Sequence, residues 1–132
     1  SMPSFSRSVS YILQPEDVVR QLMPELSADQ PAWQKIYPFL HDKMADETNL
    51  PGLEEMQTQW DRINIRLTID PQSITPQEIR GDNTALVAVS YTIERTNGQT
   101  EPVNLEYLHM IYQNGIWKLK LPPSWLGEDY GY

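Results

Sequence analysis

The chain has 132 residues, of which 39% are hydrophobic and 21% charged, a size and composition that fit one domain with one ordinary core and exclude a disordered segment. Its formal net charge is −8, and its ten Lys and Arg residues are scattered, the closest pair being Lys118 and Lys120, so neither a nucleic acid nor an anionic membrane surface is an expected partner. It has no cysteine, which excludes disulfides, thiolate nucleophiles and cysteine-based zinc sites.

Residues 1–14 carry five serines and little periodicity, and they read as a flexible lead-in. Ser1-Met2 looks like a cloning remnant, with no hydrophobic signal core behind it. A leader or anchor can have been trimmed, so an extracytoplasmic or membrane-tethered full-length protein stays within expectation. A first helix is predicted from Pro15, a residue suited to the first helical position, with Glu16 and Asp17 complementing the positive end of the helix dipole. Val18, Val19, Leu22 and Met23 share one face, and Pro24 ends the helix or falls in its last turn.

A second helix is predicted with Asp29 as cap and Pro31 near its first turn. Trp33, Ile36, Tyr37, Leu40 and Met44 follow helical spacing, interrupted by a kink or break at Pro38. A shorter third helix is predicted from Pro51, with Leu53, Met56 and Trp60 inward.

The period changes to two at Arg62. Ile63, Ile65, Leu67 and Ile69 alternate with polar residues, which predicts a half-buried strand. Asp70-Pro71 breaks it. Ser73 to Arg80 predicts a short strand that Pro76 confines to an edge or a bulge. Thr84 to Arg95 is a long strand, Asn97-Gly98 a hairpin turn, Pro102 to Gln113 the return strand, Asn114-Gly115 a second turn, and Ile116 to Leu121 the last strand. The longest aliphatic run, Ala85 to Val89, is far below the ~20 residues that cross a bilayer, so no membrane insertion is expected of this segment. Helices followed by a hairpinned sheet predict an α+β fold with the helices across one face.

That order resembles the nuclear transport factor 2-like (NTF2-like, cystatin-like cone) superfamily. The strand Arg62–Ile69, the stretch Ile79-Arg80-Gly81-Asp82-Asn83-Thr84-Ala85-Leu86-Val87-Ala88-Val89 and the closing hairpin Asn114-Gly115-Ile116-Trp117-Lys118-Leu119 carry the resemblance. It implies N-terminal helices packed on a curved antiparallel sheet of four or five strands over residues 15–121, followed by an acidic aromatic tail at 122–132. Its tone is nearest to non-catalytic domains of bacterial envelope proteins and of plastid or cyanobacterial division proteins. The superfamily spans enzymes, ligand binders and docking modules, and no catalytic motif of its enzymatic branches maps onto this chain.

Candidate sites are therefore argued from the residues. By alternation, Tyr107 and His109 share one strand face, while Glu106, Leu108 and Met110 share the other. Were Tyr107 and His109 to line the cone, they would form a polar pair with acid–base potential, as an isomerase or dehydratase needs. With Tyr37 and Tyr91 they are the candidates for a small apolar ligand pocket. Leu108, Met110, Tyr112, Trp125 and Tyr130 are the candidates for an interaction surface, since both faces of the Asn104–Tyr112 strand carry apolar groups. His41, Asp42, Asp46 and Glu47 have no metal-ligand spacing, and no glycine loop for phosphate is present, so neither metal nor cofactor is expected. The expected function is a non-catalytic binding module in a larger assembly, with a protein partner or a second copy as its ligand. A carrier of an apolar ligand and a cone-cavity enzyme are the alternatives.

Overall fold

The computed structural model describes residues 13–126. Most of the predicted lead-in, and the end of the tail with Tyr130, lie outside the described residues. Helix α1 spans Pro15–Leu26. Its start is closed by the Asp17 carboxylate, which accepts the Gln14 backbone N–H at 3.1 Å. Val18, Val19, Leu22, Met23 and Leu26 form its buried face, and Pro24 is accommodated in the last turn, as expected.

The second helix is shorter than its apolar pattern predicts. Helix α2 covers only Trp33–Ile36 and gives way to a 3-10 turn at Tyr37–Phe39. Pro38 has no N–H to continue the helical ladder. Leu40 is extended, and from there the chain runs along the sheet edge instead of coiling. His41 donates its backbone N–H to Leu119 O at 2.8 Å, and Ala45 donates to Leu121 O at 3.0 Å. Leu40 and Met44 still reach the core, each 4% exposed, which is why helical spacing and an edge segment look alike here. Asp29 is not the cap of α2: the N-cap is Ala32, and Asp29 pairs with Arg66.

Helix α3 spans Leu53–Ile63, two residues further than the predicted start of the strand allows. Ile63 satisfies both periods, sitting three residues after Trp60 and two before Ile65. Asn64 settles the boundary by adopting a left-handed conformation, φ 53°, that ends the helix. Met56 and Trp60 are buried, and Trp60 meets Trp33 edge to face at 5.3 Å, which locks α3 to α2.

The sheet comprises β1 (Ile65–Ile69), β2 (Thr75–Ile79), β3 (Thr84–Arg95), β4 (Thr100–Gln113) and β5 (Ile116–Lys120). All pairings are antiparallel, in the order β1-β3-β4-β5, with β2 beside β1 along the same side of β3. In the β4–β5 turn both Asn114 and Gly115 have positive φ, 55° and 83°, the mirror-image turn whose twist suits a two-residue hairpin. β2 is an edge strand with a register shift at Pro76, as its proline predicts. A second register shift lies in β3–β4: Val89 faces Glu106, but Tyr91 faces Val103. Such bulges bend a sheet. The resulting curved sheet and the helices across its inner face make the α+β architecture expected from the element order. α1 crosses that face, touching β1, β2, β3 and β5.

Candidate functional site

The inner face of the sheet is filled. Leu67, Val87, Val89, Leu108, Met110 and Leu119 are at most 1% exposed and pack against α1, Trp33, Ile36 and Met56. Tyr112 and Trp117 meet at 5.3 Å at one side of this core. The larger depressions among the described residues are open to solvent and lie around this packed interior, and a smaller one of about 130 Å³ is lined by Arg80, Asp82, His109 and Lys120.

The alternation in β4 decides where the predicted site residues go. Leu108 and Met110, expected on an interaction surface, are 1% and 0% exposed and belong to the core. Tyr107 and His109 are on the opposite face, exposed to solvent, so they do not converge inside the cone as an acid–base pair. The described helices cover one face, and the β4 residues fully buried there, Leu108 and Met110, have no polar N or O side-chain atoms to satisfy. The Tyr37 hydroxyl donates to Pro51 O at 2.8 Å and ties the 3-10 turn after α2 to the entry of α3. Tyr112 is half-buried against Trp117.

Trp125, expected as an interaction-surface candidate in the acidic aromatic tail, is instead part of the core. The chain turns at Pro122 and forms a 3-10 turn, Pro123–Leu126, that lays Trp125 on the inner sheet face at 0% exposure. Its ring meets Tyr91 edge to face, 5.7 Å between centroids and 87° between planes. Its indole Nε1–H donates to the Tyr91 hydroxyl at 3.0 Å, and that hydroxyl donates to the Glu106 carboxylate. Trp125, Tyr91 and Glu106 thus form one directed chain of hydrogen bonds from the core to the surface.

That chain ends at an open cleft of about 400 Å³ lined by Tyr91, Ile93, Val103, Leu105, Glu101 and Glu106 beside Ser124. Glu101 is held by Arg95 at 2.8 Å. Of the pocket candidates named from sequence, Tyr91 alone lines this cleft. Glu106 was not among them, although it shares a face with Leu108 and Met110. A carboxylate on an otherwise buried face is the signal that marks it.

Charged groups elsewhere serve the fold. Glu47 is held below the ordinary glutamate range by a hydrogen bond from Lys120, which fixes the 40–50 segment to β5. Asp46 and Asp82 are lowered by hydrogen bonds from Thr48 and Thr84, within their own turns. His41 accepts the Lys43 backbone N–H at 3.0 Å through Nδ1. Among the described residues no three His, Cys, Asp or Glu side chains gather as metal ligands, and no helix is long and apolar enough to cross a membrane.

No protein-family profile and no curated protein matches the chain, so none ties it to envelope or division proteins. Solved structures do match. One is a chain described as the beta subunit of an aromatic-ring-hydroxylating dioxygenase from Novosphingobium aromaticivorans, 15% identical, with a TM-score of 0.46 over 92% of this chain and 88% of that one. A likeness at that level assigns neither an activity nor a partner to this chain.

Proposed function

We propose that this chain is a non-catalytic protein-interaction domain on an NTF2-like scaffold, and that it self-associates through the outer face of its sheet. One observation carries the reading. The inner face is filled, whereas the outer face of β3, β4 and β5 has no covering element among the described residues and exposes Tyr107 and His109 beside half-buried Leu86 and Ile111. Tyr107 is 46% exposed and Leu105, at the bulge, 57%.

A second copy suits this face because a two-fold axis near the middle of β3 sets Tyr107, Leu86 and Ile111 of one copy against the same groups of the next.

Sedimentation velocity over a concentration series tests this. The expected result is a dimer that Tyr107→Asp converts to a monomer while the far-ultraviolet circular dichroism stays unchanged. A monomer persisting at about 1 mM, which means association weaker than about 4 kcal/mol, overturns the self-association.

A further inference from the structure

The apolar patch proposed for self-association has a histidine at its centre. His109 stands opposite Leu86 of β3 and Lys120 of β5, and its neighbours two positions along β4 on the same face are Tyr107 and Ile111. Directly opposed residues of an antiparallel pair lie about 5 Å apart at Cβ, and residues two apart on one strand about 7 Å. Leu86, Tyr107 and Ile111 thus surround His109, and a second copy seated on those three covers the imidazole as well. In the single chain His109 is exposed to solvent. Association is the event that takes it out of water.

The groups around His109 decide how it responds. Lys120 lies beside it in register, and Lys118 stands one pair away, opposite Ile111. Arg80 and Asp82, in the turn between β2 and β3, line the same small depression as His109 and Lys120. Across Leu86 stands Glu78 of β2. On this face β3 offers Thr84, Leu86 and Ala88, none of them charged. The carboxylates of this set are already engaged: Glu78 accepts from Arg80 at 2.9 Å, Glu47 beside β5 holds Lys120, and Asp82 accepts the Thr84 hydroxyl. An isologous contact presents the same groups a second time. A neutral imidazole fits such a contact, with the Tyr107 hydroxyl of either copy as donor or acceptor. An imidazolium would lose its water beside Lys120 and Lys118, with those carboxylates committed elsewhere.

We infer that His109 makes the self-association pH-dependent, the dimer forming with neutral imidazoles and coming apart as they take up protons. This rests on the self-association proposed above. The dimer binds fewer protons at this position than two separate chains do, so association is full above the imidazole range and is lost as pH falls through it. One proton excluded per copy lets the dissociation constant rise by up to about a hundredfold per pH unit. The overall charge acts in the opposite direction. It is −8 with the histidines neutral, so protonation brings it toward zero and, on that ground alone, would tighten the dimer. A dimer that weakens toward acid therefore reports a local group and not the net charge.

Sedimentation equilibrium of the full chain at about pH 7.5 and about pH 5.5, the interval in which imidazoles titrate, tests the inference. The dissociation constant is expected to rise about tenfold or more at the lower pH, with the far-ultraviolet circular dichroism unchanged. The chain has two histidines, His41 and His109. His41→Gln is expected to keep that rise. His109→Gln, compared at concentrations that keep it dimeric at the higher pH, is expected to reduce it below about threefold. His109→Lys fixes a cation at the site and is expected to weaken the dimer at the higher pH about tenfold or more. Equal or tighter association at the lower pH, a pH dependence that His41→Gln abolishes, or one that His109→Gln leaves intact overturns the switch while the self-association stands. A chain that stays monomeric at about 1 mM at both pH values overturns the self-association and the switch together.

Discussion

Truncating Trp125 tests whether the end of the chain is part of the core. The side chain is 0% exposed and meets Tyr91 edge to face. Removing a buried tryptophan to alanine costs roughly 3–5 kcal/mol when the site cannot collapse. Here the loss also removes the indole hydrogen bond to the Tyr91 hydroxyl. Trp125→Ala is therefore expected to lower stability by about 4 kcal/mol, or about 10–15 °C in Tm for a domain of this size. Tyr91→Phe keeps the ring contact and strands the buried indole N–H, at an expected cost of about 1–3 kcal/mol. The two substitutions share the same hydrogen bond, so a double-mutant cycle from urea unfolding is expected to show about 1 kcal/mol of coupling. A Trp125→Ala loss below about 1 kcal/mol would refute the reasoning, because no buried tryptophan in a rigid site is that cheap to remove.

The division of faces in β4 predicts opposite outcomes for neighbours: Leu108→Ala is expected to cost about 2–5 kcal/mol and His109→Ala to stay within about 0.5 kcal/mol, both read from urea unfolding. Gly115 holds φ 83°, so Gly115→Ala is expected to destabilise by about 1 kcal/mol, whereas Gly81→Ala, with open space at its Cβ position and no positive φ, is expected to be near neutral. Glu47 is depressed below the ordinary glutamate value, chiefly by the Lys120 hydrogen bond. The unfolded state therefore binds its proton more readily, and the stability that Glu47 contributes is present above about pH 4.5 and lost as pH falls below it. Glu47→Gln is expected to flatten Tm against pH between about pH 5 and 3, and an unchanged slope would remove Glu47 from the account.

Much of the architecture is legible in the residues alone because local periodicity reports local burial. The alternation of β1, the mirror turn at Asn114-Gly115, the edge role of Pro76 and the buried face of α1 each depend on residues a few positions apart. The points where the reading fails depend on distant partners. Leu40 and Met44 have helical spacing, yet they lie on an extended segment because Pro38 breaks the helix and Leu119 and Leu121 accept the hydrogen bonds it frees. The end of α3 needed the left-handed turn at Asn64, since Ile63 fits a helix and a strand equally well.

The candidate site shows the same division. Alternation by itself established that Glu106, Leu108 and Met110 lie on one face of β4 and Tyr107 and His109 on the other. It could not say which face meets the helices, because both carry apolar groups. Only packing decided that: covering Leu108 and Met110 buries apolar atoms alone, whereas covering His109 and Tyr107 would strand polar ones. That β5 is shorter than β4 and leaves its first half unpaired is legible in the strand lengths, because a two-residue hairpin fixes the register. That the backbone after β5 turns inward and buries Trp125 against Tyr91 was decided by the tertiary structure, because the partner lies on a distant strand.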